Sequence, residues 1–181
     1  MLVKNWSLIE ESTPGSQLEP GGYVVKITEV EDFPDKEYLR ITYDIAEGDH
    51  KGHFDDVWGR NNGWAHRFIR SYKESAQGMF KAFLSRLEES NKHINGFTIA
   101  NWQIQSNEQQ FVGLEVGLIM RKRLYTNEKG EDKESLEVYR VVAAQDIRNG
   151  DFKVPDPKDD RESIVPARAE SAQVYDDVPF M

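Results

Sequence analysis

The stretch from Trp58 to Lys73 concentrates two kinds of side chain with one shared use. It carries Trp58, Trp64, His66, Phe68 and Tyr72 as flat rings, and Arg60, Arg67, Arg70 and Lys73 as cations. Rings stack on unpaired nucleobases and cations neutralise the phosphates beside them, so the mixture suits a single-stranded nucleic acid. Each stacked base contributes about 1–3 kcal/mol. Phe68 and Ile69 read instead as core, and a solvated basic face is the plain alternative for the arginines. A second cationic run, Arg121-Lys122-Arg123-Leu124-Tyr125, stands where a strand should enter a hairpin. Lys26, Arg40 and Arg140 are single cations on expected strand faces, and they form a track if those faces coincide. The candidate stacking platforms are therefore Trp58, Trp64, His66, Tyr72 and Tyr125. The candidate phosphate partners are Lys26, Arg40, Arg67, Arg70, Lys73, Arg121, Lys122, Arg123 and Arg140.

Catalytic chemistry finds less to work with. His50 and His53 lie beside Asp49, Asp55 and Asp56, the ingredients of a two-histidine carboxylate metal site. The segment reads as a polar loop, with no further histidine placed to help. No phosphate loop, nucleophile elbow or zincin motif occurs. The expectation is a protein without catalytic residues, metal or cofactor.

Charge has to be read locally. The chain of 181 residues has a net charge of −9, which by itself disfavours a polyanion. From Asp151 to Met181 there are eight acidic and four basic residues, whereas between Arg60 and Arg86 there are six basic residues and one acidic one, Glu74. A basic island thus sits inside an acidic protein, and local field decides where a phosphate can rest. There is no cysteine, hence no disulfide framework or thiolate metal site. No apolar run is long enough to span a bilayer, and Met1 to Glu11 lacks the apolar stretch of a signal peptide, so the cytoplasm is the expected location.

The elements that must position these groups follow from period. Residues 1–20 form a lead-in punctuated by Pro14-Gly15 and Pro20-Gly21-Gly22. Tyr23 to Val30 and Tyr38 to Ile45 alternate with period two across a polar turn, which predicts an antiparallel hairpin. A third strand is expected from near His53 through Trp58, broken at Asn61-Asn62-Gly63 and resuming over Ala65 to Arg70. Met79, Phe80, Phe83, Leu84 and Leu87 recur at helical spacing within Ser71 to Glu89. Asn91 to Gln110 reads as irregular. Phe111 to Tyr125 and Ser135 to Ala144 give two more strands around the Asn127-Glu128-Lys129-Gly130 turn. Three strands, a helix and two strands suit a mostly β domain over residues 21–152. The expected form is the five-stranded Greek-key barrel called the OB-fold, with its helix between strands three and four. Residues 153–181 have too little apolar surface to offset ordering entropy and read as a disordered acidic tail. The tail ends in Asp176-Asp177-Val178-Pro179-Phe180-Met181, where carboxylates precede an apolar cluster. Such a tip suits a basic-rimmed pocket on a protein partner.

Several phrases carry a resemblance. Gly21 to Ile27, Glu37 to Gly48, Phe68 to Lys73 and Asp146 to Pro155 resemble, in order, a family of phage and prophage proteins from Gram-positive bacteria. Its members sit among replication and recombination functions and are regarded as single-stranded DNA-binding proteins. The resemblance implies DNA binding with little sequence preference, acting in DNA replication and recombination in the host cytoplasm. Asp176 to Phe180 is similar to the acidic tip with which bacterial single-stranded DNA-binding proteins recruit replication and repair enzymes. There a terminal phenylalanine fills a pocket and its free carboxylate meets a basic residue; here Met181 follows Phe180. The resemblance thus implies replication and recombination proteins as partners through Asp176, Asp177, Val178, Pro179, Phe180 and Met181, and allows a homo-oligomer. The competing expectation is an adaptor for a recombination or replication enzyme that does not itself touch DNA.

Overall fold

Alternating apolar side chains draw β1 (Gly21–Phe33) and β2 (Tyr38–Ile45) into an antiparallel hairpin. In the computed structural model, which describes residues 18–55, 66–93, 97–105 and 107–161, these strands start a longer sheet. A bulge between Ile27 and Glu29 inserts Thr28, and so turns Val30 inward alongside Val25 and Ile27. The hairpin closes through Pro34–Lys36, with Glu37 in the left-handed region at φ 55°. β3 (Arg67–Ser71) pairs antiparallel with β2, and the chain then enters the main helix, α1 (Gln77–Ser90). A short helix, α2 (Ile99–Gln105), follows, then a helical turn at Glu108–Phe111. β4 (Glu115–Thr126) pairs antiparallel with β1 and with β5 (Asp132–Val142), which precedes the short helix α3 (Ala144–Arg148). The sheet runs β3-β2-β1-β4-β5, open between β3 and β5; a two-residue strand, β6 (Lys158–Asp159), adds to β4 in parallel. The domain is thus mostly β, with one main helix after the third strand.

The inner face of the sheet makes the core. Val25, Ile27, Val30, Leu39, Ile41, Tyr43, Phe68, Val116, Leu118 and Met120 pack against Phe80, Phe83, Leu84 and Leu87 of α1, with Phe97 and Phe111 beside them. Asn91 ends α1 and is 1% exposed. Its Nδ2 donates to the carbonyls of Leu87 and Glu115, and its Oδ1 accepts from the Glu115 amide at 2.9 Å. The side chain therefore ties the helix end to the start of β4. Asn91→Ala should lower unfolding stability by about 2–3 kcal/mol, since buried backbone groups lose partners; a urea midpoint within error of the parent would exclude this tie.

Four sequence expectations shift. His53–Asp55 is a turn rather than a strand start, because Asp44 Oδ1 accepts from the Phe54 amide at 2.9 Å and folds the chain back. Asn91 to Gln110 contains α2 and a helical turn, held by Trp102 against Phe80 and Phe111. The fourth strand starts at Glu115 rather than Phe111, whose ring is fully buried at the end of that turn. Residues 153–161 are not structureless: Lys158 and Asp159 pair with Arg123 and Leu124, taking the edge of β4 that β1 leaves beyond Gly21. Residues 162–181 lie outside the described residues. No helix among the described residues is long and apolar enough to cross a membrane.

Candidate nucleic-acid interface

Register sets which cations share a face. On the outer side of β1, β2 and β3, opposed residues form three rows: Phe33, Tyr38 and Ser71; then Glu31, Arg40 and Ile69; then Glu29, Thr42 and Arg67. Phe33 and Tyr38 stack at 4.9 Å, and the Arg40 guanidinium lies 4.8 Å from the Phe33 ring centre. Arg40 Nε donates to Glu31 at 2.6 Å, and this contact holds the Glu31 carboxyl below its usual range. Ile69, expected in the core, is 45% exposed, because its neighbour Phe68 takes the inward position opposite Ile41. The result is a platform of aromatic and apolar side chains with Arg40 and Arg67 as its cations and Glu29 and Glu31 beside them.

A second platform lies on β4 and β5. Arg121 sits 4.9 Å from the ring of Tyr139 and pairs with Glu137 at 2.6 Å. Arg140 approaches the same ring at 5.7 Å and has no carboxylate partner among the described residues. Tyr139 is half exposed, placed outward next to the bulge where β5 shifts register against Ile119 and Met120. Arg123 lies over Tyr125 at 5.6 Å and donates to Asp160 at 2.6 Å.

The two platforms flank one opening. A cavity of about 450 Å³ separates β3 from β5, lined among others by Arg67, Phe68 and Ile69 on one side and by Arg123, Leu136 and Val138 on the other. Arg67 and Arg123, far apart in sequence, thus border a single cleft. The Arg67 Nε is buried with no hydrogen-bond partner. No protein-family model matches this sequence, and no curated protein matches it. The reading of the site therefore rests on its chemistry.

The remaining candidates scatter. His66 is buried, its imidazole pKa lowered first by that burial and then by Arg67, so it offers no free face for a base. Arg70 points inward from β3, over the rings of Phe68 at 4.7 Å and Phe83 at 5.8 Å, and burial lowers its pKa to about 10. Tyr72 donates to Asp32 at 2.8 Å and faces Phe80, away from the outer platform. Lys73 is exposed just past β3, and Lys26 lies in register between Asp44 and Glu115. Lys122 pairs with Glu134 at 2.8 Å. Trp58, Trp64 and the tip from Asp176 to Met181 lie outside the described residues. His50 and His53 meet edge to face at 6.1 Å, and no cluster of metal-ligating side chains forms among the described residues.

Sequence reasoning missed Phe33, Tyr38 and Tyr139. The first two were within reach: a turn at Pro34–Lys36 puts Phe33 opposite Tyr38 in any tight hairpin. Tyr139 was not, because its outward placement depends on a bulge that no local pattern announces.

Proposed function

We propose that the protein binds single-stranded DNA on an OB-fold and serves DNA replication and recombination. The observation that carries this reading is the cleft between β3 and β5, bordered by Arg67 and Arg123 and flanked on both sides by arginine-covered rings. The strand order β3-β2-β1-β4-β5 supports the OB-fold: it is the order of that barrel cut open between β3 and β5, with a helix between β3 and β4. Bases would stack on Phe33, Tyr38 and Tyr139, and Arg67, Arg123 and Arg140 would face phosphates. The resemblance to phage proteins fits this role in a bacterial cytoplasm, with the acidic tip as a contact for replication and recombination proteins.

Fluorescence anisotropy with labelled oligo(dT) of about 35 nucleotides, long enough for several sites, tests the reading. Submicromolar binding that weakens as salt rises, and is far weaker for duplex, is expected. Absence of binding at low salt would sink it.

A second reading has its own observation. Arg40, Arg121, Lys122 and Arg123 are all paired with carboxylates of the same chain, which leaves less free charge for phosphates. A protein adaptor needs no such charge, and would show no affinity for oligo(dT) at any salt. For a DNA binder these carboxylates are competitors. Asp160→Asn removes the acceptor that engages both Arg123 and Lys158, and should tighten DNA binding about threefold at low ionic strength, where charge contacts are least screened. Unchanged affinity would mean that β6 does not compete with the strand.

A further inference from the structure

We propose that a separate cleft, at the hairpin end of β1 and β2, receives a lysine or arginine side chain from a protein partner. The cleft has a volume of about 340 Å³ and is lined by Asp32, Leu39, Tyr72, Phe80, Trp102 and Glu108. It opens on the inner side of the sheet, since Asp32 lies in register with inward Leu39, and so it is distinct from the outer platforms.

Three aromatic rings and two carboxylates meet there. Tyr72 and Phe80 stand edge to face at 6.1 Å, and Phe80 and Trp102 are tilted at 5.8 Å. Trp102 is backed by Phe111, stacked at 5.8 Å, so the wall is braced from behind. Ring faces carry negative quadrupole density and attract organic cations. Asp32 accepts from the Tyr72 hydroxyl at 2.8 Å, while Glu108 has only a long contact of 3.4 Å from Gln109. Neither carboxylate has a lysine or arginine partner among the described residues, and no basic side chain lines the cleft. Burial raises the Tyr72 hydroxyl pKa to about 12, and its bond to Asp32 and the charges of Asp32, Glu37 and Glu108 add to the rise.

Charge complementarity therefore selects a cation, and the walls select an organic one. A metal ion would want a cluster of ligating side chains, which is not formed among the described residues. A peptide bearing lysine or arginine supplies such a cation on an apolar stem that can lie along the rings. A DNA phosphate is excluded by the same two carboxylates, so this cleft and the outer platforms suit partners of opposite charge.

The full-length protein, ¹⁵N-labelled, would be titrated with Ac-Gly-Arg-Gly-NH₂ and Ac-Gly-Lys-Gly-NH₂ while the tryptophan indole resonances are followed. The same peptide with citrulline in place of arginine is the neutral control. Trp102→Phe identifies the reporting resonance, and Asp32→Asn and Glu108→Gln, checked for an unchanged melting curve, remove the charges. A saturable shift of the Trp102 signal by a basic peptide is expected, at least tenfold weaker for citrulline and weakened by both substitutions. No shift, or an equal shift by citrulline, would overturn the proposal. The oligo(dT) titration is read separately, because the proposed cleft does not depend on DNA binding.

Discussion

Arg123→Glu combined with Arg140→Glu should weaken oligo(dT) binding on the order of 100-fold at low salt, through the loss of two phosphate contacts and their replacement by repulsion. The log–log salt slope should fall by about two, one for each contact removed. Both side chains reach the rings of the β4–β5 platform, Arg123 over Tyr125 and Arg140 over Tyr139, and neither belongs to the hydrophobic core. A loss of affinity should therefore not reflect unfolding, and a melting curve checks that. Lys81→Glu, an exposed residue of α1, is the control; it should change affinity within about threefold, because its charge is screened over the distance to a strand on the sheet. Equal losses in both proteins would indicate a general effect of net charge. Wild-type affinity in the double variant would remove β4 and β5 from the interface and leave the outer face of β1, β2 and β3 to carry it.

How much of this was legible in the sequence depended on whether period decided it. The hairpin was legible because Leu39, Ile41, Tyr43 and Ile45 alternate without interruption, and α1 because Phe80, Phe83, Leu84 and Leu87 leave only one buried stripe. β3 was ambiguous for a physical reason. In Arg67-Phe68-Ile69-Arg70 both central residues are apolar, so alternation allows either phase. Phe68 fits against Tyr43 and Phe83 in the core, and that choice turns Arg70 inward and leaves Arg67 and Ile69 outside. Arg67 and Arg70, chosen as members of one basic cluster, are thereby placed on opposite faces. The two bulges are a second limit. Each reverses which side chains face out beyond it, and the pattern of the bulged strand alone does not reveal it. The cleft at Asp32 was out of reach altogether, since Asp32, Tyr72 and Glu108 converge only once α1 and α2 are packed.

Gly117→Val should cost about 3 kcal/mol of stability, more than a typical overpacking substitution, because the atom it would strike cannot rotate away. Gly21-Gly22 reads in sequence as a chain breaker, yet Gly22 sits inside β1, paired with Ile119, while Gly117 on β4 pairs with Val24 of β1. Both glycines let the segment after β5 lie directly on the outer face of the sheet. A Cβ at Gly117 would come 2.7 Å from the Ala143 carbonyl oxygen and 2.7 Å from Ile147. A Cβ at Gly22 would come 2.5 Å from the Phe152 ring and 2.8 Å from Ile147. The contrast between backbone and side chain sets the order of effects. At Gly117 the start of α3 must lift, and with it Ala143 and Ala144, which are fully buried. At Gly22 a ring can swing aside, so Gly22→Ala should cost about 1–2 kcal/mol, and less again in a Phe152→Ala background. Urea unfolding of the four proteins measures this directly. If Gly22→Ala costs the same with and without Phe152, the ring is not what the glycine accommodates. The consequence reaches the binding face, because the covering segment continues into β6, whose neighbour Asp160 pairs with Arg123. Lifting α3 in Gly117→Val should loosen that pairing and so free a cation beside the cleft. In variants that remain folded, stability should fall while DNA affinity holds or rises, a divergence that a merely damaged binding surface would not produce.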